Sequence, residues 1–173
     1  GNGVEQPHSM IVNSQGELIM FGVTGSLNFP TRTNGYNTSH NGGNQISINS
    51  FYKLKRSDIF IIKINPQGSS LTGGTYFGGS GNDGINSNTI KNYGDKSRGE
   101  VVVDDQDNIY IASCTYSTDF PTSAGASQTT AGVSEEAIIA KFNSNLSNMI
   151  WSTYYGGDGR EAAFSLTVAP NGD

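Results

Sequence analysis

The chain has 173 residues and a formal net charge of -5, with 34% hydrophobic residues, 14% charged residues and 23 glycines. Its acidic balance argues against general nucleic-acid binding, and its single cysteine, Cys114, excludes an internal disulfide and leaves the redox compartment unread. No apolar run exceeds four residues, which is too short for a membrane-spanning helix or a signal-peptide core.

Gly, Ser, Thr and Asn separate short β-branched and aromatic runs, a composition that predicts an all-β fold. In chain order, Met10–Met20 reads as two strands around the polar turn Asn13-Ser14-Gln15-Gly16. Asn28-Phe29-Pro30-Thr31 follows. Ile59-Phe60-Ile61-Ile62 is apolar at every position, which predicts a strand buried on both faces. Thr75-Tyr76-Phe77-Gly78-Gly79 closes the unit. Each segment then recurs. Met10–Met20 falls on Val101–Ile111, and Asn28–Thr31 on Asp119–Thr122, both at an offset of 91 residues. Asp58–Asn65 falls on Glu136–Asn143, and Thr75–Gly79 on Thr153–Gly157, both at an offset of 78. A third copy begins at Ser165-Leu166-Thr167-Val168, and Gly1–Glu5 mirrors Gly157–Glu161, so the chain is expected to start at a repeat boundary.

Each copy reads as four strands; in the second they are expected near Glu100–Val103, Ile109–Thr115, Glu136–Asn143 and Met149–Tyr155. Four-stranded antiparallel sheets in tandem, covered on both faces, are what the blades of a β-propeller require. The expected organisation is one blade over residues 1–84 with a long loop at 40–55, and a second over 85–161 preceded by an inserted loop at 85–99. The start of a third occupies 162–173. A β-sandwich is the alternative fold, although it would show one wet face per sheet and cleaner alternation.

The elements Val103–Ile111, Ser117–Thr122, Ala140–Asn143 and Trp151–Gly157 resemble, in that order, the recurring pattern of the bacterial SBBP β-propeller repeats. The resemblance implies a secreted or cell-surface bacterial protein, often very large, with no fixed chemistry. The first copy departs from the pattern with Asn28 in place of Asp, and with Gly73-Gly74 where the second has Trp151-Ser152.

In such a blade the loops joining strands two to three and four to one emerge on the same side, so both insertions are expected there. They carry Phe51, Tyr52, Lys53, Lys55, Lys91, Tyr93, Lys96 and Arg98, with Arg56 adjoining. Insertions gathered on one side of a repeat array often form its binding face. This side is therefore the expected partner-binding face, suited to an anionic glycan or an acidic protein surface.

Other motifs point to structure. Gly78-Gly79-Ser80-Gly81-Asn82-Asp83 matches a calcium-binding nonapeptide, but its next relative lies 78 residues on, which reads as an inter-blade turn. Asp104, Asp105 and Asp107 are weak candidates for a structural Ca²⁺, against a capped hairpin turn, because no distal bidentate Glu follows. No other cofactor is expected. Glu5, Asp83 and Glu161 recur at one repeat position and are expected to clamp adjacent blades by accepting hydrogen bonds. Cys114 reads as a buried, inert thiol. His8 and His40 fall in no nucleophile or metal spacing, and Asp83 with Asp95 is the only carboxylate pair considered for glycan cleavage. The expected function is a non-catalytic binding or scaffold module of an exported bacterial surface protein, in adhesion or surface-complex assembly. A glycan-cleaving enzyme and a structural spacer are the alternatives.

Overall fold

The computed structural model describes residues 1–47, 53–87 and 94–169. Strands β1 (Glu5–Val12) and β2 (Leu18–Thr24) form a hairpin, followed by two short paired strands, β3 (Ile46–Ser47) and β4 (Lys53–Leu54). β5 (Asp58–Ile64) and β6 (Leu71–Phe77) complete a four-stranded antiparallel sheet in the order β1-β2-β5-β6. A single 3-10 turn, η1 (Asp95–Ser97), leads into β7 (Glu100–Val103), β8 (Ile109–Thr115), β9 (Glu136–Phe142) and β10 (Met149–Tyr155). These four make a second antiparallel sheet in chain order. The fold is all-β.

The polar turns set the hairpins. Asn13 Oδ1 accepts the amides of Gln15 and Glu17, and Asp104 Oδ1 accepts those of Gln106 and Asn108, so each side chain holds its own turn closed. Gly16 and Gly68 adopt φ of 75° and 67°, a region that costs a side chain about 1–2 kcal/mol. In the second sheet these positions are Asp107 and Leu146, at φ of 59° and 61°. Both side chains compensate by reaching the first sheet. Asp107 accepts the Ser14 hydroxyl at 2.6 Å and the Ser14 amide at 3.0 Å, and Leu146 is fully buried in the core between the sheets.

That core shows how the sheets are stacked. The first contributes Ile19, Phe21, Ile59, Ile61 and Phe77; the second contributes Val101, Ile109, Ile111, Ile138, Ala140, Phe142 and Tyr154. By repeat register, Ile59 and Ile61 correspond to Ala137 and Ile139, which lie on the opposite face of the second sheet from Ile138 and Ala140. One sheet's front therefore rests on the next one's back. The backbones approach chiefly along the first strands, β1 and β7. There Glu100 accepts the hydroxyl of Ser9 and, through its other oxygen, that of Ser165, both at 3.1 Å.

A tyrosine clasp explains the repeated Phe-Pro and Thr-Tyr segments. The Tyr76 hydroxyl donates to Ser26 O and accepts the Phe29 amide, each at 2.8 Å. Tyr154 repeats this with Ser117 O at 2.7 Å and the Phe120 amide at 2.9 Å. The clasp folds the loop after the second strand over its own sheet, setting Phe29 against Phe60 at a ring separation of 4.5 Å.

Phe77 lies at the centre of the stacked faces, with the rings of Phe120 and Phe142 at 4.6 and 4.9 Å in edge-on contact. Phe77→Ala is expected to lower stability by about 3–5 kcal/mol, read from the denaturant midpoint. Met10→Ala, on the outer face where Met10 is 56% exposed, is expected to change it by less than about 0.5 kcal/mol. Equal costs would contradict this assignment of the buried face.

Candidate functional site

The two insertions meet. Lys96 Nζ donates to Ser47 O at 3.0 Å, joining η1 to β3, while the Asn86 amide donates to Lys96 O at 3.2 Å. A second small core of Val23, Leu54 and Ile85, flanked by Val4 and Ile46, seats both insertions on the first sheet. Alternation along β4 explains the result: Leu54 is buried at 1% exposure, so Lys53 and Lys55 on either side of it face solvent. These two lysines and Arg56 line a groove of about 400 Å³ with Asn2, Gly3, Val4, Gly25 and Leu27.

The remaining members of the expected basic face differ in role. Arg98 is engaged by Asp95 at 3.0 Å and lies 5.1 Å from the Phe164 ring centroid, so it ties η1 to the segment after β10. Phe51, Tyr52, Lys91 and Tyr93 lie outside the described residues. Arg56, noted in the sequence only as a neighbour, is a full member of the groove.

Two of the three recurring carboxylates accept hydrogen bonds through their side chains. Asp83 is fully buried and accepts the hydroxyls of Thr115 and Ser117 and the amide of Gly79, bridging the end of the first sheet to β8. Glu5 makes the equivalent contacts to the hydroxyls of Thr24 and Ser26. Glu161 differs: its amide donates to Glu135 O at 2.9 Å, while its Oε2 is buried beside Gly156 and accepts no hydrogen bond among the described residues. Asp95, 2% exposed, is engaged by Arg98, so Asp83 and Asp95 are both buried and committed to other partners.

Sequence reasoning passed over Asp58. Burial raises its pKa to about 7, against amides of Asn41 and Gly42 and the charge of Arg56, which lower it. Burial likewise raises Asp83 to about 8, with the Asp58 charge adding to the rise. His40 Nδ1 accepts the Gly42 amide at 3.2 Å, so the ring carries no proton there, and it lies 3.4 Å from Asp58 Oδ1. A protonated Asp58 matches that neutral ring. The signal available in sequence was the repeat itself, since Asp58 falls on Glu136, whose pKa burial and Glu161 also raise.

Among the described residues, no group of three or more His, Cys, Asp or Glu is arranged to hold a metal. Asp105 is exposed, whereas Asp104 and Asp107 are occupied by protein donors. Asp104 Oδ2 accepts Lys141 at 3.1 Å, Asn108 Nδ2 at 2.9 Å and the Tyr110 hydroxyl at 3.2 Å. Its pKa falls to about 2, the hydrogen bonds outweighing the opposing effect of burial. In the first sheet the same three-part set is built from Asn13, Glu17 and Lys63, with Glu17 2.6 Å from Lys63. The carboxylate and the amide have exchanged places.

Two outcomes follow from these networks. Asp104→Asn is expected to cost about 2 kcal/mol, and adding Asn108→Glu to recover most of it by restoring the first sheet's arrangement; no recovery in equilibrium unfolding would refute the equivalence. For pH, Asp58 and Asp83 are raised in the folded state, so their stabilisation is full below about pH 4 and lost as pH rises through 7 and 8. His8, lowered by burial to about 4, and His40, also lowered by burial, oppose this below about pH 6.5, so the net decline lies above that pH. Stability is therefore expected to decline from mildly acidic pH towards pH 8, by up to about 1.4 kcal/mol per unit for each group. Asp58→Asn, which removes one of the two raised carboxyls, should flatten that decline in pH-dependent thermal melts.

No protein-family model matches the chain, and no curated protein is significantly similar to it.

Proposed function

We propose that the chain is a run of propeller-type blades, similar to SBBP repeats, within a large exported bacterial surface protein. In this reading it is a non-catalytic scaffold whose decorated side binds a protein or glycan partner in adhesion or surface-complex assembly. Residues 1–84 and 85–161 are then successive blades, and 162–173 opens a third. Front-on-back stacking supports the blade reading over a sandwich, because it leaves an apolar outer face at each end. Met10 and Val12 are 56% and 58% exposed at one end, and Tyr155 is 67% exposed at the other. Such faces call for further repeats. Ala163 donates its amide to Ser113 O at 3.1 Å, tying the segment after β10 to β8.

The observation that carries the binding reading is the junction of the two insertions. The loops are joined by Lys96 and seated on the first sheet by a small shared core, which brings described parts of both to one place on the scaffold. Residues 48–52 and 88–93 can be replaced by Gly-Ser segments of equal length, leaving Leu54, Ile85 and Lys96 in place. Adhesion of protein-coated beads to bacterial cell-wall preparations is expected to fall several-fold while the thermal midpoint stays within a few degrees. Unchanged adhesion would favour a structural spacer.

A further inference from the structure

We propose that the groove lined by Lys53, Lys55 and Arg56 is a binding site for an acidic polysaccharide, recognising its sulfate or carboxylate groups. The site deepens, and rests on, the reading of the decorated side as a binding surface. Three cations fall within four residues of a chain whose formal charge is -5. The ion pairs of the described residues involve the amino terminus, His40, Lys63, Arg98 and Lys141, and none involves Lys53, Lys55 or Arg56. Cations held on one surface without carboxylate partners attract anions over roughly the Debye length.

The segment is positioned rather than loose at its middle. Leu54 is buried against Val23 and Ile85, and a Cβ on Gly25 would come within 3.1 Å of both the Leu54 side chain and Arg56 O. Gly25 thus lets the basic segment lie directly on the loop that follows β2. A Cβ on Gly3 would lie 2.8 Å from the backbone of Gly25, so the floor is built by close approach of two glycine-bearing segments. Glu5, the carboxylate nearest in sequence to this floor, is already engaged by Thr24, Ser26 and the amino terminus.

The hydrogen-bonding state of the floor selects the ligand class. The amides of Asn2 and Gly3 are taken by Asn28 Oδ1 and Ser26 Oγ, and that of Gly25 by Val4 O. An acidic peptide adding as a strand needs free main-chain donors, and these three are spent. The side-chain charge of Lys53, Lys55 and Arg56 borders a space of about 400 Å³, within the range of small-molecule sites and suited to a sugar ring with its charged substituent.

The test is isothermal titration of the protein with heparin as the sulfated probe, polygalacturonate as the carboxylate probe and dextran as the neutral control. Wild type should bind at least one acidic polymer and not dextran, with affinity falling as NaCl rises from about 0.05 to 0.5 M. The exposed pair K53E/K55E should weaken binding about tenfold or more, whereas R32E/R160E, with the same change in charge at exposed sites outside the groove, should have a smaller effect. The first acidic polymer bound identifies whether sulfate or carboxylate is preferred. Absence of binding to both polymers, or equal losses in the two double variants, would overturn the site. Neither result would bear on bead adhesion through the replaced loop segments, which tests the decorated side separately.

Discussion

The structure depends on stacking one sheet's front against the next sheet's back. The two contributing faces are different by repeat register, and β5 is buried on both of its own: Ile59 and Ile61 face the second sheet, while Phe60 lies under Phe29 of the loop after β2. The stacking also fixes the roles of the loops. Phe29 and Phe120 close over equivalent parts of their own sheets, but Phe120 additionally meets Phe77 of the first sheet because only it lies at the inner junction. Burying a large apolar side chain contributes about 1.5–3 kcal/mol, so the row of aromatics at this junction outweighs the exposed pairs elsewhere.

Within that constraint the copies have drifted by exchanging residues that perform one job together. Asn13 and Glu17 of the first sheet, with Lys63, become Asp104 and Asn108, with Lys141. Either set supplies one carboxylate, one amide and one ammonium, so the buried lysine head keeps its counter-charge while the turn keeps its closing acceptor. Changing a single member would strand a charge; the pair moves together. The glycines follow similar reasoning. Asp107 and Leu146 accept an unfavourable backbone where the first sheet has Gly16 and Gly68, and each gains a contact across the junction that glycine has no atoms to make.

Much of this was legible in the sequence for a local reason. Strand periodicity, polar turns and the two offsets depend on residues close together, and the strands of the second copy lie within a residue of their expected ends. The roles of Ser14 and Asp107 were not legible, because one turn touches another 93 residues away only after the sheets stack. The same holds for Arg98, whose partner Phe164 lies 66 residues along the chain. Of the site, the basic loop residues could be named from the insertions, but their division into free and engaged cations could not. Lys53 and Lys55 are left outward by the burial of Leu54, whereas Lys96 is spent joining the insertions. Asp58 was visible as a carboxylate repeated in Glu136, yet its significance lay in a neighbour, Asp83, brought to it by the turn after β6.

The acidic composition and the basic groove are reconciled by where the negative charge resides. Asp104 and Glu17 are paired with lysines, and Asp107 and Asp119 with donors of neighbouring turns. Asp58 and Asp83, buried side by side, hold protons up to near neutral pH and so carry less charge than a residue count assigns them. Arg56 is the cation whose charge Asp58 feels, and a protonated Asp58 leaves that charge uncompensated towards the groove. Ionisation of Asp58 would place an anion in the interior behind the groove. It would oppose anion attraction outside and cost folding stability inside. The proton that relieves the buried pair therefore also preserves the positive charge of Arg56 beside it, so that pH below the pKa values of the pair favours both their burial and the cationic character of the groove.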